Sequence, residues 1–437
     1  MNRFSLSVSA GIARVTESAL GPYQTAVVRI GLSATWLLFL LREFPHRQEL
    51  YGPDGPWSFG LAQQLIGTNG AFTVLMWSDG QVWFEAVYAL AVLSSLLLLL
   101  GWRTRTMSVL FMVGVLSLQN RSVFMGDGGD NVLHLMSLYL LFTRCGRVWS
   151  LDARRERLAD TARARGERVA DRVGPVLWAV FGLLLLVATV TGKLGADWLT
   201  DADDSGRPKA VGIVLALAAG IGGHGLLPTI LWGAWAAQGL WWFVGRRAKT
   251  AEPRILLDVI ANIMHNGALL VIMAEACLIY ATAGWYKIQG SRWQDGTAVY
   301  YPLHLDYFTP WPALADLLTI SGTMVLVVTY GTVAAQVAFP FTLFNRRVKN
   351  VLLAVMMTEH AVIAVVLGLP FFSLAMIAAD SVFLPTPFLR RLGDLAARAR
   401  GRALRRLQSR GDRTPLPAPR APEDAGHTPV GTPSTRT

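Results

Sequence analysis

Long apolar runs alternate with short polar segments along most of the 437-residue chain. The runs at about 24–41, 82–100 and 255–284 are close to or above the roughly 20 residues that a helix needs to cross a bilayer. Further runs lie at about 106–120, 131–143, 175–192, 210–245, 313–343, 350–369 and 371–388. This alternation predicts an all-α polytopic membrane protein, a bundle of about nine or ten transmembrane helices embedded in the lipid bilayer.

The same pattern divides the chain into three parts. Residues 1–23 are mixed and polar and form a predicted cytoplasmic segment, and residues 24–388 form the transmembrane domain. Residues 389–437 form a basic tail that becomes rich in Pro, Thr and Arg from Gly411 onwards. Because this composition buries little apolar surface, we expect most of the tail to be disordered in the cytoplasm.

The run at 210–245 is longer than one straight crossing requires and contains several glycines and a proline. A hairpin would place Arg246 and Arg247 on the outer side, against the tendency of basic residues to stay in the cytoplasm. The sequence therefore favours one broken or strongly tilted crossing. By contrast, residues 42–81 are rich in Gly, Pro and Trp and are predicted to form a long outer loop.

Composition supports the membrane class. Hydrophobic residues make up 53% of the chain and charged residues 16%, whereas soluble domains are about 25% charged. The net charge of +11 comes from basic residues between the apolar runs, which predicts a cytoplasmic N-terminus in a bacterial plasma membrane. No nucleic-acid recognition motif accompanies this charge, so nucleic acid is not an expected partner. The two cysteines support neither a disulfide framework nor a cysteine metal site.

The strongest candidate for chemistry lies where the run at 255–284 ends. Lys287 is one of only five lysines, and the tryptophans Trp285 and Trp293 and the carboxylate of Asp295 follow or flank it. A lysine withdrawn from water can lose its proton, and its neutral amine can then act as a base. The alternative is an interfacial lysine in a belt of aromatic residues.

Other polar residues within apolar runs are functional candidates because charge at membrane depth is costly. His360 lies near the middle of the run at 350–369, where it could relay protons or make a helix–helix hydrogen bond. Asp130 and His134 are four residues apart and share a helical face. They could cap that helix or orient one another; as metal ligands they form only a weak signal, and no metal is expected. Arg29 lies near the start of the first run, from where its side chain could extend to the interface.

These residues occur in an order that resembles the HTTM family of membrane proteins, over about residues 20–388. The matching features are the span with Arg29, Leu100-Gly101 with Arg105, Gly128-Gly129-Asp130-Asn131, Ala283-Gly284-x-x-Lys287-Ile288, Trp293, Asp295-Gly296, His360, Met376, Ala378 and Phe383. The family includes the vitamin K-dependent gamma-glutamyl carboxylase, in which the matching lysine deprotonates reduced vitamin K. The resemblance therefore implies that Lys287 is a catalytic base and that a reduced naphthoquinone is a cofactor.

The chain also departs from the carboxylase. Asp130 stands where the carboxylase has a histidine, and the spacing from Lys287 to Trp293 differs by one residue. A large C-terminal region that the carboxylase uses with its substrate has no counterpart in this sequence. Three functions therefore remain open: a quinol-dependent oxygenase or carboxylase at the outer face, a non-enzymatic factor that helps to mature or export a small peptide, and a transporter. Catalytic roles are assigned to Lys287, His360, Asp130 and His134, and binding roles to Trp285, Trp293, Asp295 and Arg29.

Overall fold

The computed structural model describes residues 3–167, 171, 173–194, 226–247 and 251–411. In these residues it contains seventeen α-helices and no strand, which confirms the all-α helical class. The helices are α1 Arg3–Glu17, α2 Pro22–Glu43, α3 Arg47–Tyr51, α4 Phe59–Asn69, α5 Gln81–Leu100, α6 Thr104–Arg121, α7 Gly128–Leu141, α8 Leu151–Ala164, α9 Val173–Leu194, α10 Leu226–Arg247, α11 Glu252–Gln289, α12 Ser291–Gln294, α13 Pro312–Thr319, α14 Gly322–Ala338, α15 Arg346–Val366, α16 Pro370–Asp380 and α17 Thr386–Gly411.

Five helices in the described residues are long and apolar enough to cross a membrane, compared with the nine or ten that the sequence pattern predicts. They are Pro22–Tyr51, Gln81–Leu100, Glu252–Gln289, Gly322–Phe344 and Arg346–Val366. A sixth is obtained if the broken pair Pro370–Phe383 and Thr386–Ala403 is counted as one span. The predicted third and fourth spans are present as α6 and α7, but α6 carries several polar residues and α7 has only 14 residues.

Two predicted spans are wrong in their course. The run at 313–343 is divided at Ser321, whose side chain accepts a hydrogen bond from the backbone N–H of Met324 and so begins a new helix. The run at 371–388 is also not one helix, because α16 has 11 residues and ends at Asp380. At 1.5 Å per residue, α16 is about 16 Å long, roughly half the thickness of the hydrocarbon core.

The predicted outer loop at 42–81 is also more ordered than expected. It contains α3, α4 and a 3₁₀ turn at Val74–Trp77. Side chains tie this segment to the bundle: Thr73 donates to the carbonyl of Ser117, and Arg121 donates to the carbonyls of Gly52 and Trp57.

Other predictions have a mixed outcome. The basic segment after α7 forms a helix, α8. Residues 210–225 of the broken crossing predicted at 210–245 lie outside the described residues, and the rest of that run belongs to α10. Residues 412–437 of the predicted disordered tail also lie outside them, and the part of the tail before them continues α17.

Helix α2 forms the centre of the bundle. Its residues Val28, Leu32 and Trp36 are fully buried. Gly31 allows a close approach of α16, because a Cβ at this position would lie 2.5 Å from the Cβ of Ala378. Small residues at such contacts are typical of helix packing in membranes. This approach positions α16, which carries Asp380.

The bundle has two chemically different ends. At the basic end, Arg103 begins α6, Arg144 follows α7 and Arg254 lies in the first turn of α11. At the aromatic end, α11 reaches Trp285 and is followed by Trp293. The 38 residues of α11 therefore connect the two ends.

Arg29 is completely buried near the basic end, so its side chain is enclosed by other parts of the protein. Its guanidinium donates to the backbone carbonyls of Leu98 and Leu99 at the C-terminus of α5, and to that of Trp149 at 2.8 Å. The last carbonyls of a helix have no partner within the helix, and the dipole of the helix favours a cation there. Arg29 thus holds the end of α5 and the segment before α8 against α2.

Replacing this cation should destabilise the bundle. Arg29→Met removes the donor to the carbonyls of Leu99 and Trp149 and leaves that of Leu98 with only the N–H of Gly101, and we expect the free energy of unfolding to fall by at least about 2 kcal/mol. Thermal unfolding of the purified protein in detergent measures this effect. Arg14→Met removes an exposed arginine in α1 and serves as the matched control. Equal melting temperatures for the two variants would contradict a capping role for Arg29.

Candidate functional site

Lys287 lies in the last turn of α11 and is half-buried. Its Nζ donates a hydrogen bond of 2.8 Å to Oε1 of Gln336 on α14. The same nitrogen lies 5.2 Å from the ring centroid of Trp293, within the range of a cation–π contact. The predicted proximity of Lys287 and Trp293 is therefore present in the structure.

A glycine brings α11 and α14 close enough for the hydrogen bond to Gln336. A Cβ at Gly284 would lie 2.7 Å from Cγ2 of Val337, so a larger residue there would push the helices apart. Gly284 is three residues before Lys287, and Val337 follows Gln336. The small residue in the Ala-Gly-x-x-Lys pattern thus sets the distance between the lysine and its partner.

Gln336 extends this contact to a carboxylate. Its Nε2 donates to Oε1 of Glu359 on α15 at 3.0 Å. The amide therefore stands between Lys287 and Glu359, accepting from the lysine and donating to the carboxylate. Among the described residues no salt bridge joins Lys287 to Glu359, so the amide of Gln336 is the link between the amine and the carboxylate.

A second polar group lies one residue further along α15. His360, Tyr280 on α11 and Asp380 at the end of α16 are all at most 3% exposed. The hydroxyl of Tyr280 donates to Oδ2 of Asp380 at 2.7 Å, and its oxygen lies 3.1 Å from Nε2 of His360. Because the tyrosine proton is directed to Asp380, Nε2 of His360 acts as the donor to the tyrosine oxygen.

This triad, defined as Tyr280, His360 and Asp380, has unused hydrogen-bonding capacity at both ends. Within the described residues, Nδ1 of His360 and Oδ1 of Asp380 are buried and have no hydrogen-bond partner. Buried polar atoms of this kind are uncommon and costly, and they occur at sites that move protons or hold a small polar molecule. The triad lies on the same helices, α11 and α15, as Lys287 and Glu359. Tyr280 and Lys287 are two helical turns apart on one face of α11, and Glu359 directly precedes His360 on α15.

Asp130 and His134 do not hydrogen-bond to this site in the described residues. Asp127 and Asp130 close a capping box at the start of α7, in which Oδ2 of Asp130 accepts from the backbone N–H of Asp127 at 2.8 Å. Asp130 also accepts from Nε2 of Gln119 at 3.1 Å. His134 lies one turn later and is half-buried. Capping is thus the role that the structure gives Asp130, as one of the predicted alternatives allowed.

The capping box is nevertheless only one side chain away from the triad. A Cβ at Gly129 would lie 2.6 Å from Cα of Phe372, so α7 begins directly against this residue of α16. The ring of Phe372 lies 5.4 Å from the imidazole of His360 in an edge-to-face arrangement. The Gly-Gly-Asp turn therefore supports the histidine through packing.

The remaining predicted binding residues have different positions. Trp285 is 61% exposed at the aromatic end, where it faces outwards from the bundle. Asp295 accepts from the backbone N–H of Thr297 at 3.0 Å and from its hydroxyl at 2.5 Å, and these bonds hold the pKa of Asp295 below its usual range. They fix the turn before Gly296, which has a φ of 76°. Arg29 lies near the basic end and makes no contact with Lys287.

The site residues identified from the sequence do not include Gln336, Tyr280 or Asp380. A signal existed for two of them. Gln336 is an amide within an otherwise apolar helix, and Tyr280 lies on the same face as Lys287 seven positions earlier. For Asp380 the signal was weaker, because its hydrogen-bond partner Tyr280 is 100 positions away in the sequence.

Comparisons with known proteins found no matching family model, no matching curated protein and no matching solved structure.

The hydroxyl of Tyr280 should be essential to the triad. Tyr280→Phe leaves Asp380 and His360 without their shared partner, and we expect a loss of about 1–3 kcal/mol in the free energy of unfolding. Thermal unfolding in detergent measures this loss. Tyr286→Phe, on the same helix but 73% exposed, is the matched control.

A double-mutant cycle with Asp380→Ala, which removes the acceptor, then isolates the pair. If Tyr280 and Asp380 interact as described, the two substitutions together should cost less than the sum of their separate effects. Strict additivity would mean that the hydrogen bond contributes nothing.

Proposed function

We propose that this chain is an HTTM-type membrane enzyme in which Lys287 removes a proton from a reduced naphthoquinone. The observation that carries the proposal is the environment of Lys287, a half-buried lysine bonded to a neutral amide and placed over a tryptophan ring. The resemblance to the quinol-using carboxylase gives this lysine the same role. The lipid bilayer would supply the apolar quinol.

The chemistry of a base requires that Lys287 be able to shed its proton. A direct ion pair with Glu359 would hold the lysine in its charged form, because an adjacent opposite charge favours ionisation. Gln336 prevents that direct contact while keeping the amine oriented by a hydrogen bond of 2.8 Å. After Lys287 has accepted a proton, Glu359 is close enough to stabilise the ammonium through the amide.

The residues around Lys287 are suited to a flat aromatic molecule. Trp293 presents a ring beside the amine, and Trp285 and Tyr286 are exposed in the same turn of α11. Aromatic side chains can stack on such a ring, and their position at a helix end is typical of the membrane interface. When bound, the quinol supplies an acidic hydroxyl and reducing electrons; the chain supplies the base and its orientation.

The triad has a supporting role in this proposal. It connects α11, α15 and α16, and its hydrogen bonds hold the helices that carry Lys287 and Glu359 in place relative to each other. The site is proposed to lie on the outer side of a bacterial plasma membrane, with the N-terminus and the basic end in the cytoplasm. That orientation follows from the arginines of the basic end.

Oxygen uptake tests the function. Purified protein should consume oxygen when a reduced naphthoquinone is added, and Lys287→Ala should abolish this uptake because the amine is the base. Gln336→Leu should lower the rate by about tenfold or more, since it removes the group that orients the amine. Arg292→Gln, which removes an exposed cation near the same helix end, is the charge-matched control.

The folded state of each variant is checked by its thermal unfolding, so that loss of activity is distinguished from loss of structure. Equal oxygen uptake in wild type and Lys287→Ala would exclude the lysine from the mechanism. No quinol-dependent uptake by the folded wild-type protein would overturn the proposed enzyme and leave the non-enzymatic peptide factor as the next hypothesis.

A further inference from the structure

At the basic end of the bundle two arginines bind one carboxylate, and two further arginines lie nearby. We call Arg105, Arg144, Arg147 and Arg254 the arginine cluster. Nη2 of Arg144 lies 3.1 Å from Oδ1 of Asp258, and Nε of Arg254 lies 2.9 Å from its Oδ2. Both oxygens of the carboxylate are therefore already engaged by arginines.

A tryptophan from another helix completes this arrangement. The guanidinium of Arg254 lies 3.8 Å from the ring centroid of Trp241 on α10, and that of Arg105 lies 5.1 Å from it. Arg105 also donates to Oε1 of Gln238 at 3.2 Å. The cluster is thus assembled from α6, the segment after α7, α10 and α11, and its geometry is set by contacts between these elements.

The charges in the cluster do not balance. Four guanidinium groups against one carboxylate give a net charge of +3 among these described residues. The neighbouring carboxylates are occupied elsewhere: Asp171 pairs with Arg103, and Asp152 caps the start of α6 and pairs with Arg155. Arg105 and Arg147 are exposed residues, so an anion can reach them from outside. Repulsion between the arginines would be reduced by such an anion.

An apolar groove lies on the same elements as the cluster. It has a volume of about 290 Å³ and is lined by Tyr139, Phe142, Met264, Ala268 and Val271. Phe142 is two residues before Arg144, so one wall of the groove and the arginine cluster are adjacent in the sequence. The other wall, residues 264–271 of α11, extends about 10 Å along the helix, away from Asp258 and towards the aromatic end.

We propose that this region binds an anionic phospholipid, with its phosphate at the arginine cluster and part of an acyl chain in the groove. Guanidinium groups pair well with phosphate oxygens, and basic sites between transmembrane helices recognise anionic headgroups. The groove favours a lipid over free phosphate as the ligand, because inorganic phosphate has no apolar part that could bind an apolar surface. This inference is independent of the chemistry proposed at Lys287.

Native mass spectrometry of the full-length protein in detergent tests the proposal. Dioleoylphosphatidylglycerol should remain bound when dioleoylphosphatidylcholine at the same concentration does not. The double variant Arg105→Gln and Arg147→Gln should weaken this binding by about tenfold or more, since each cation near a headgroup contributes to affinity. Arg155→Gln with Arg163→Gln removes the same charge from α8, away from the groove, and should leave binding unchanged.

The groove is tested separately with Val271→Trp, which fills it from its partly exposed side. This variant should weaken binding of the long-chain lipid but not of dihexanoylphosphatidylglycerol, whose acyl chains are short. The lipid proposal would be overturned if inorganic phosphate displaced the long-chain lipid as well as the short-chain lipid does, and Val271→Trp had no effect on binding. The region would then be a site for phosphate alone. Equal binding of phosphatidylcholine, or binding that survives loss of Arg105 and Arg147, would also overturn it.

Discussion

The hydrogen bonds that Tyr280 makes to Asp380 and His360 join three helices in the interior of the bundle. Apolar packing contributes little direction to helix association in a bilayer, because lipid tails are as apolar as the helices themselves. A buried polar contact therefore has a large influence on which faces meet. Once Tyr280 faces Asp380 and His360, Lys287 on the same face of α11 is directed towards α14. Its hydrogen bond to Gln336 can then form.

Close backbone approach makes these polar contacts possible. Gly31 brings α16 against α2, and Gly284 brings α14 against α11, so each polar network is next to a close contact at a glycine. A larger residue at either position would separate helices whose side chains must meet within about 3 Å. The Ala-Gly-x-x-Lys pattern thus contains a structural requirement together with its candidate base. This explains why the glycine and the lysine occur in one short motif.

Charged groups at the basic end serve structure in a different manner. The guanidinium of Arg29 donates its hydrogen bonds to backbone carbonyls, including one at the end of α5, and has no counterion among its direct partners. Asp258 is shared by two arginines, while Asp152 caps α6. In the described part of the basic end, several arginines therefore pair with a carboxylate or a backbone carbonyl, whereas Arg105 and Arg147 are exposed.

The amino-acid sequence alone determined the helical membrane class and the location of several spans, because apolar composition over some 20 residues is a local property. It also placed Trp293 near Lys287, since the two residues lie six positions apart at the end of one helix. The breaks at Ser321 and Asp380, the partners of Lys287 and the burial of Arg29 were decided only by the tertiary structure. Gln336 is 49 positions from Lys287, and Asp380 is 100 positions from Tyr280. Which of these groups meet depends on how helix faces pack, and an apolar pattern says where a helix lies without saying which neighbour it faces.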